Sequence, residues 1–392
     1  MEKLRIIVGG FIGLYPTGGV TWDYIQYPVG LHMLGHDVYY LEDTMQYSTY
    51  QSAGKPWNDA TDSIDYLKRT MEAFGLKDRW AYRDIGSNRC YGMALKQLNE
   101  VCRTADVFIN VSASTYLREE YLSIPKLVLV DSDPMFTQIQ DWDDNNHAGS
   151  MYNIKKAYEA YDYLFTFGEN INAPDCKIPT YDLKWLTTRQ PICLDYWKII
   201  SPNLNLNVFT TVMNWSSRKK IKYFNEEWGQ KDVEFEKIKQ IPRLFSKTRF
   251  SMAVADNSNN MDQKSLEALN WIIQDPLTTI RNAKDYQLFI QHSSGEFSVA
   301  KETYVKSNSG WFSCRSACYL ASGKPVITQQ TKWSDYIPSG KGLFAFTDTS
   351  SAIDALEQVT GDIELHSKAA AAIGREYFDS NKVLADLLKQ IG

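Results

Sequence analysis

The sequence predicts an α/β fold made of two Rossmann-like, doubly wound domains. The chain has 392 residues, which is long for one hydrophobic core and suits two domains of similar size. Residues 4–43 read as a strand, a glycine-rich turn, a helix and a second strand, the first βαβ unit of a doubly wound sheet. Alternating strands and helices begin afresh near residue 208, so we expect the same architecture twice.

The first βαβ unit contains the most informative turn of the chain. Residues 4–8 form a short apolar strand, and five glycines follow it before the helix begins. Gly35 ends that helix as a C-cap, and residues 38–41 resume the β pattern. A helix N-terminus after a glycine turn favours phosphate, although the glycine spacing does not match a dinucleotide fingerprint. The turn is therefore either a ligand-binding loop or a purely structural one.

Composition excludes several classes of protein. Apolar residues make up 44% and charged residues 23% of the chain, as in globular proteins, and no segment is apolar enough to span a membrane. Strand one begins at residue 4, so we expect no signal peptide. The six cysteines form no CxxC pair and no metal-ligand spacing with the five histidines. We expect a cytoplasmic protein with reduced thiols, and its net charge of −5 gives no overall drive toward nucleic acid.

Further strands and helices are predicted along both halves. In the first half, helices are expected at 62–74, 91–103 and 154–161, and strands at 106–111, 126–130 and 163–167. In the second half, strands are expected at 208–213, 250–255 and 286–291, and helices at 235–244, 350–359 and 365–388. The apolar runs suit parallel strands that are covered on both faces.

Two segments resemble GT-B glycosyltransferases. The first combines the pair Gly18-Gly19 with the segment LGHDVYYLED, in which Gly35 and His36 follow the helix. The second, ASGKPVI at 321–327, is similar to the donor-binding helix and strand of enzymes related to glycogen synthase. The longer pattern around it resembles bacterial group-1 and CgeB-like glycosyltransferases. The resemblance covers nearly the whole chain and implies two Rossmann-like domains that face each other across a cleft.

The chain also departs from the family pattern. Many retaining GT-B enzymes carry two glutamates eight positions apart around the donor helix, but here Gly310 and Cys318 stand at those positions. Glu296 is a candidate replacement, with His292 in the same turn. Cys314 stands where an aspartate is expected, at a helix N-terminus that would favour a thiolate.

Three carboxylates are candidate catalytic bases. Asp131 and Asp133 follow a buried strand, at the sheet edge where ligands bind in this architecture, and either could take a proton from an acceptor hydroxyl. The alternative is an Asx-capped turn before Pro134. Asp23, close to the glycine turn, is the third candidate, and its alternative role is a solvated carboxylate near the start of a helix.

Other polar residues are assigned to the two substrates. Arginine and free N–H groups at the start of the helix before ASGKP suit a diphosphate. The candidate donor-binding residues are Gly18, Gly19, Asn214, Trp215, His292, Glu296, Lys301, Ser313, Arg315 and Ser316. Arg189 and Glu169 are candidates for acceptor binding, with a hinge ion pair as the alternative for Arg189. The basic run 218–222 is either a phosphate contact or a solvated surface.

The resemblance implies a Leloir glycosyltransferase, a hexosyl- or pentosyltransferase that moves a sugar from a nucleotide-sugar to an acceptor hydroxyl. UDP-sugar is the first donor to consider, and no obligatory metal is expected. Residues 1–195 are expected to hold the acceptor, 205–365 to bind the donor, and 366–392 to cross back to the first domain. The acceptor is a small molecule, a glycan, a lipid-linked glycan or a modified base of phage-type DNA. The same fold would also suit a nucleotide-sugar epimerase or a non-catalytic sugar-binding relative.

Overall fold

A computed structural model describes residues 2–48, 54–200, 207–216 and 219–392. Residues 217 and 218 of the predicted turn and basic run, and the predicted domain start at 205, lie outside the described residues. No helix in the described residues is both long and apolar enough to cross a membrane.

The described residues up to 187 form an eight-stranded sheet. The strands lie in the order β4-β3-β2-β1-β5-β6-β7-β8, and all neighbours are parallel except β3 and β4. The strands are β1 (Arg5–Gly9), β2 (Asp37–Glu42), β3 (Trp80–Asp84), β4 (Arg89–Gly92), β5 (Val107–Val111), β6 (Leu127–Asp131), β7 (Tyr163–Thr166) and β8 (Trp185–Thr187). The helices are α1 (Gly18–Met33), α2 (Thr61–Ala73), α3 (Leu95–Thr104), α4 (Glu119–Leu122), α5 (Phe136–Ile139) and α6 (His147–Tyr158).

A second, parallel sheet of six strands follows, in the order β13-β12-β9-β14-β15-β16. Its strands are β9 (Val208–Asn214), β12 (Arg249–Ala255), β13 (Trp271–Gln274), β14 (Gly295–Ser298), β15 (Val326–Gln329) and β16 (Leu343–Phe346), and β10 (Ile221–Tyr223) and β11 (Glu226–Trp228) form a separate hairpin. The helices are α7 (Lys231–Glu236), α8 (Ile241–Leu244), α9 (Gln263–Ala268), α10 (Pro276–Thr279), α11 (Ala283–Gln291), α12 (Glu302–Lys306), α13 (Cys314–Ala321), α14 (Thr349–Gly361), α15 (Ile363–Tyr377) and α16 (Ser380–Ile391).

The strand order creates a switch point in each sheet. In the first sheet β1 pairs with β2 on one side and β5 on the other, and in the second β9 pairs with β12 and β14. Loops that leave the carboxyl ends of such strands diverge to opposite faces and open a crevice. The two crevices open onto one cleft, which residues of both sheets line on opposite sides.

One hydrophobic core joins the two sheets. The largest apolar cluster includes Ile6 of β1, Ile290 of α11, Ala317 of α13 and Leu384 of α16. Helix α1 lies at its centre and contacts α11, α13 and α16. Because the last helix packs on α1, the end of the chain is fastened to the first sheet.

The prediction of a strand at 286–291 was wrong. These residues belong to α11, whose N-cap Asn282 accepts hydrogen bonds from the backbone N–H groups of Lys284 and Asp285 at 2.9 and 3.0 Å. The aromatic and branched residues of YQLFIQ suggested β structure, but their burial follows one face of a helix. The strand lies later, at β14, within the predicted turn.

Three other predicted helices differ in their bounds. The helix expected at 365–388 is divided into α15 and α16, with a break at residues 378 and 379. The segment 91–103 begins as an edge strand paired with β3, and its helix starts only at Leu95. The segment 235–244 is divided between α7 and α8. These differences concern boundaries and leave the order of elements around the cleft unchanged.

Candidate active site in the cleft

The cleft between the two sheets has a volume of about 950 Å³. Both walls contribute to it: Phe11, Asp23 and Ser112 come from the first half of the chain, and Lys231 and Arg315 from the second. Ligand sites of enzymes commonly range from about 300 to 1,000 Å³. The cleft therefore has room for two small substrates, or for one nucleotide with an additional group.

Arg315 lies in the first turn of α13 and is held by two hydrogen bonds. Its Nε donates to Glu296 Oε1 at 2.5 Å, and its Nη1 donates to the carbonyl oxygen of Val212 at 2.7 Å. Its Nη2 is buried and has no partner among the described residues. The arginine is therefore fixed in place beside the cleft with one unused donor.

Lys231 begins α7 and lines the same part of the cleft. Burial lowers the pKa of Lys231 well below its ordinary value, and the nearby positive charges of Arg315 and Lys301 lower it further. Its ammonium group has no hydrogen-bond or ion-pair partner among the described residues. A bound anion would relieve this repulsion, so the cluster of Lys231, Lys301 and Arg315 is suited to a phosphate.

Lys301 connects the two walls of the cleft. Its Nζ lies 2.5 Å from Asp133 Oδ2 in the loop after β6, and the hydroxyl of Tyr304 donates to the other oxygen of the same carboxylate. Asp133 lines the cleft as expected, but both of its oxygens are engaged in these contacts. Asp133 therefore anchors Lys301 and Tyr304 of the second half to the first half.

Asp23 lies on α1 and faces the cleft. Its side chain has an exposed surface, but that surface lies inside the cleft, where the two walls keep it from bulk water. This desolvation raises the pKa of Asp23 to about 6, against the opposing effects of a hydrogen bond with Cys314 and the charge of Arg315. A carboxylate with a pKa near neutrality is matched to general base catalysis. Of the three candidate bases, Asp23 has the most suitable surroundings.

Asp131 lies beneath the cleft and does not line it. It is 1% exposed, and its carboxylate accepts hydrogen bonds from Thr137, Gln138 and Thr166 at 2.6, 2.9 and 2.9 Å. These bonds consume the oxygens that a base would need. Asp131 therefore links β6 to β7 and to α5. This structural role resembles the alternative considered above, a capped turn before Pro134.

The glycine turn uses its N–H groups within the protein. The carboxylate of Glu42, buried at the end of β2, accepts hydrogen bonds from the backbone of Gly13 at 2.8 Å and of Leu14 at 2.5 Å. A Cβ on Gly18 would lie 2.3 Å from the carbonyl oxygen of Asn282, whereas Gly19 lines the cleft. Gly18 thus permits close contact between α1 and α11, and the turn does not present a phosphate loop.

The remaining donor candidates fall into two groups. Asn214 and Ser313 line the cleft with Lys301 and Arg315. Trp215, Glu296, His292 and Ser316 do not line it. Trp215 packs in the core against Phe235, and Ser316 is fully buried. His292 is exposed at the end of α11 and precedes β14. It lies away from the cleft, because the cleft is at the carboxyl end of that strand. Glu296 acts through Arg315.

Arg189 and Glu169 pair with each other away from the main cleft. Arg189 Nη2 donates to Glu169 Oε2 at 2.7 Å, and the guanidinium lies 5.1 Å from the ring centre of Tyr377. Both residues line a second cavity of about 310 Å³ beside α15 and α16. This geometry matches the hinge ion pair that was the alternative for Arg189.

The structure gives physical reasons for the departures from the family pattern. Gly310 has a φ of +76°, and a Cβ there would lie 2.5 Å from the backbone nitrogen of Asn170, so a glutamate does not fit. Cys318 is fully buried, with Gln26 Nε2 3.9 Å from its sulfur. A hydrogen bond with Cys318 and burial raise the pKa of the Cys314 thiol well above its ordinary value, which argues against a nucleophilic thiolate.

Lys231 is a residue of the site that the sequence did not predict. It follows the β10-β11 hairpin in a stretch, GQKDVEF, that has no recognisable motif. The hairpin is an insertion between β9 and α7, and it returns the chain to the carboxyl end of β9. Lys231 could be predicted from the sequence only if residues 221–228 were recognised as a hairpin that separates β9 from its following helix, α7.

Solved structures with the same architecture cover almost the full chain. An alpha-glucosyltransferase in complex with UDP and a 13-mer DNA containing an HMU base superposes with a TM-score of 0.58 at 10% identity, over 99% of both chains. Sucrose-phosphate synthase from Thermosynechococcus elongatus gives 0.56 at 9% identity, over 100% of this chain and 99% of that one. A glycosyltransferase from Rickettsia africae gives 0.55 at 12% identity, over 99% and 98%.

Likeness at this level of identity concerns the fold. No family model matches the sequence, and no curated protein matches it either. The neighbours are glycosyltransferases, and the superpositions extend over almost the whole of this chain. The chain therefore has the GT-B fold, with two Rossmann-like sheets on either side of a single cleft.

Proposed function

We propose that the protein is a glycosyltransferase that moves a sugar from a nucleoside diphosphate sugar to a hydroxyl group of an acceptor. The observation that carries the proposal is the cluster of Lys231 at the start of α7, Lys301 at the start of α12 and Arg315 in the first turn of α13, all of which line the cleft. The GT-B fold supports the same function, since each of the three solved neighbours is named as a sugar-transferring enzyme or a synthase of a sugar phosphate.

The donor diphosphate would bind against this cluster. Arg315 and Lys231 would contact its oxygens, and the N-terminal N–H groups of α13 would add a positive dipole end. In the reaction the bond between the sugar C1 and the diphosphate oxygen breaks, and its electron pair stays with the diphosphate. Fixed cations stabilise that developing charge without reorganising. We expect the chemistry to proceed without an obligatory metal.

The acceptor oxygen forms the new bond to C1. Its proton would pass to Asp23, whose carboxylate faces the cleft and has a raised pKa. In this scheme residues 1–195 hold the acceptor and residues 205–365 hold the donor. UDP is the preferred nucleotide, because UDP is bound in the alpha-glucosyltransferase with a similar fold.

A donor panel tests the proposal. Thermal stability and donor hydrolysis would be measured with UDP-, GDP-, dTDP- and ADP-sugars, each with and without EDTA. We expect one nucleotide class to raise the melting temperature and to be hydrolysed slowly. Lys231→Met should abolish most of that stabilisation, while Lys96→Met, at an exposed position of α3, should retain it.

The panel also separates the competing functions. A stable rearranged nucleotide-sugar formed without any acceptor would indicate an epimerase. Stabilisation by free sugar, with no response to any nucleotide-sugar, would indicate a sugar-binding protein and would refute the transferase proposal.

A further inference from the structure

The two walls of the cleft differ in charge. Of the described residues that line it, the three basic ones, Lys231, Lys301 and Arg315, all come from the second half of the chain. The second-half wall also carries two carboxylates, Asp256 and Asp275, so its basic residues are in excess by one. The described lining residues from the first half include two carboxylates, Asp23 and Asp133, and no lysine, arginine or histidine. A phosphate-rich acceptor would therefore meet no basic side chain on the wall where the acceptor is proposed to lie.

An aromatic platform stands where the walls meet. Trp311 stacks on Tyr304 with ring centres 4.2 Å apart and an angle of 24°. The indole Nε1 donates to the carbonyl oxygen of Ser132 at 3.1 Å, which fixes the ring against the loop after β6. Trp311 is only half-buried and lines the cleft, so part of its surface is available to a ligand. A flat amphipathic ring of this kind suits the apolar face of a sugar.

Paired hydroxyl groups lie next to this platform. Ser112 Oγ and Ser132 Oγ are 2.6 Å apart, and both residues line the cleft. Ser112 and the next residue, Ala113, have φ values of 59° and 50°, an uncommon conformation for residues other than glycine. Such strained backbone at the carboxyl end of a strand is typical of functional sites. A hydroxyl pair both donates and accepts hydrogen bonds, which matches a polyol.

We infer that the first-half wall of the cleft, together with Trp311 contributed by the second half, binds a neutral saccharide acceptor. Trp311 is the stacking platform, and the Ser112–Ser132 pair is the hydrogen-bonding group. The inference rests on the proposed function for the identity of the site, and it selects glycans from the acceptor classes that the sequence leaves open. Nucleic acid is disfavoured, because the described residues that line this wall include no basic side chain to contact its phosphates.

The test measures acceptor binding separately from turnover. Saturation-transfer NMR would be recorded on the full chain with maltose, glucose 6-phosphate and a 13-mer DNA duplex, with UDP present and absent. We expect saturation transfer to maltose and none to the phosphorylated sugar or to DNA. Preferential binding of either anionic ligand, or no binding of neutral saccharides, would overturn the inference.

Variants connect the signal to the proposed residues. Trp311→Ala and Ser112→Ala should each weaken maltose binding by about tenfold, from loss of an aromatic contact or a hydrogen bond. Trp311→Phe should restore part of the loss, which a general structural defect would not allow. Phe224→Ala, at an exposed hairpin position, is the control and should bind maltose normally. Unchanged binding in Trp311→Ala would contradict the inference.

The failure of this inference is distinguishable from failure of the proposed function. If a nucleotide-sugar is bound and hydrolysed but the sugar is passed to DNA or to a phosphorylated sugar, the acceptor class is wrong and the transferase function stands. If no nucleotide-sugar binds, the transferase proposal fails, while the maltose signal still reports on the saccharide site.

Discussion

Removal of the Arg315 guanidinium tests both the packing beneath the cleft and the proposed diphosphate site. Arg315→Met keeps much of the apolar stem but removes the charge and three nitrogen donors. One of those donors is bound to Glu296, one to the carbonyl of Val212, and one is unused. The substitution therefore acts on two quantities: the stability of the fold and the affinity for a diphosphate.

The stability effect follows from the burial of Glu296. That residue is 0% exposed, so the substitution leaves a buried carboxylate without its cation. Breaking a buried ion pair by removing one partner costs about 3–5 kcal/mol of unfolding free energy. The double variant Glu296→Gln/Arg315→Met removes the uncompensated charge, so it should be more stable than the single variant.

The affinity effect follows from the loss of the guanidinium at the wall of the cleft. A hydrogen bond to a charged group contributes about 1.5–3 kcal/mol, which corresponds to a loss of about 10- to 150-fold in affinity for the nucleoside diphosphate. Isothermal titration with the nucleotide selected by the donor panel measures the affinity, and chemical denaturation measures stability. A folded double variant that binds the nucleotide as tightly as the natural chain would refute the role of Arg315.

Three further changes test separate parts of the arrangement. Asp23→Asn should lower kcat by about 10²–10⁴-fold with little change in donor affinity. Since the pKa of Asp23 is raised to about 6, the base form is lost below that value, so kcat/KM should fall as the pH decreases through about 6, and the variant should lose this limb of the profile. Gly18→Ala should lower the melting temperature, because its Cβ would clash with backbone of the second half. Gly19→Ala should have a smaller effect, because its Cβ would meet only a ring edge at 3.3 Å. Equal melting temperatures of the two variants would contradict this packing. Leu384→Ala, fully buried in α16, should cost about 2–5 kcal/mol in denaturation experiments, and Lys389→Ala on the exposed side of the same helix should stay within about 0.5 kcal/mol.

Local patterns predicted the parts of the fold that depend on short-range physics. The first βαβ unit has an apolar strand, a glycine turn and a C-cap glycine, and the strand at 208–213 is rich in β-branched residues and ends in a polar turn. Both occur nearly as expected. The segment 286–291 failed because a strand and one face of a helix can share the same apolar composition over six residues. The side chain of Asn282 caps the N-terminus of α11 and thereby favours the helix.

The candidate site was less predictable, because it depends on contacts between distant residues. Arg315 could be placed near the cleft from its position at the start of a helix. Asp131 and Asp133 look alike in the sequence, yet one is buried under hydrogen bonds from α5 and β7 and the other faces the cleft. Lys231 has no local signal, since an inserted hairpin brings it to the site. Only tertiary structure separates these cases.

The apolar cluster that joins the two sheets has a consequence for how the chain unfolds. Two domains connected only by a linker would melt independently, each with its own transition. Here Ile6, Ile290, Ala317 and Leu384 belong to one buried cluster, so neither half can lose its packing without exposing the other. We expect a single cooperative transition in calorimetry, and we expect that neither half, expressed alone, would be stable. The packing that stabilises the fold therefore also fixes the relative positions of Asp23 and Arg315.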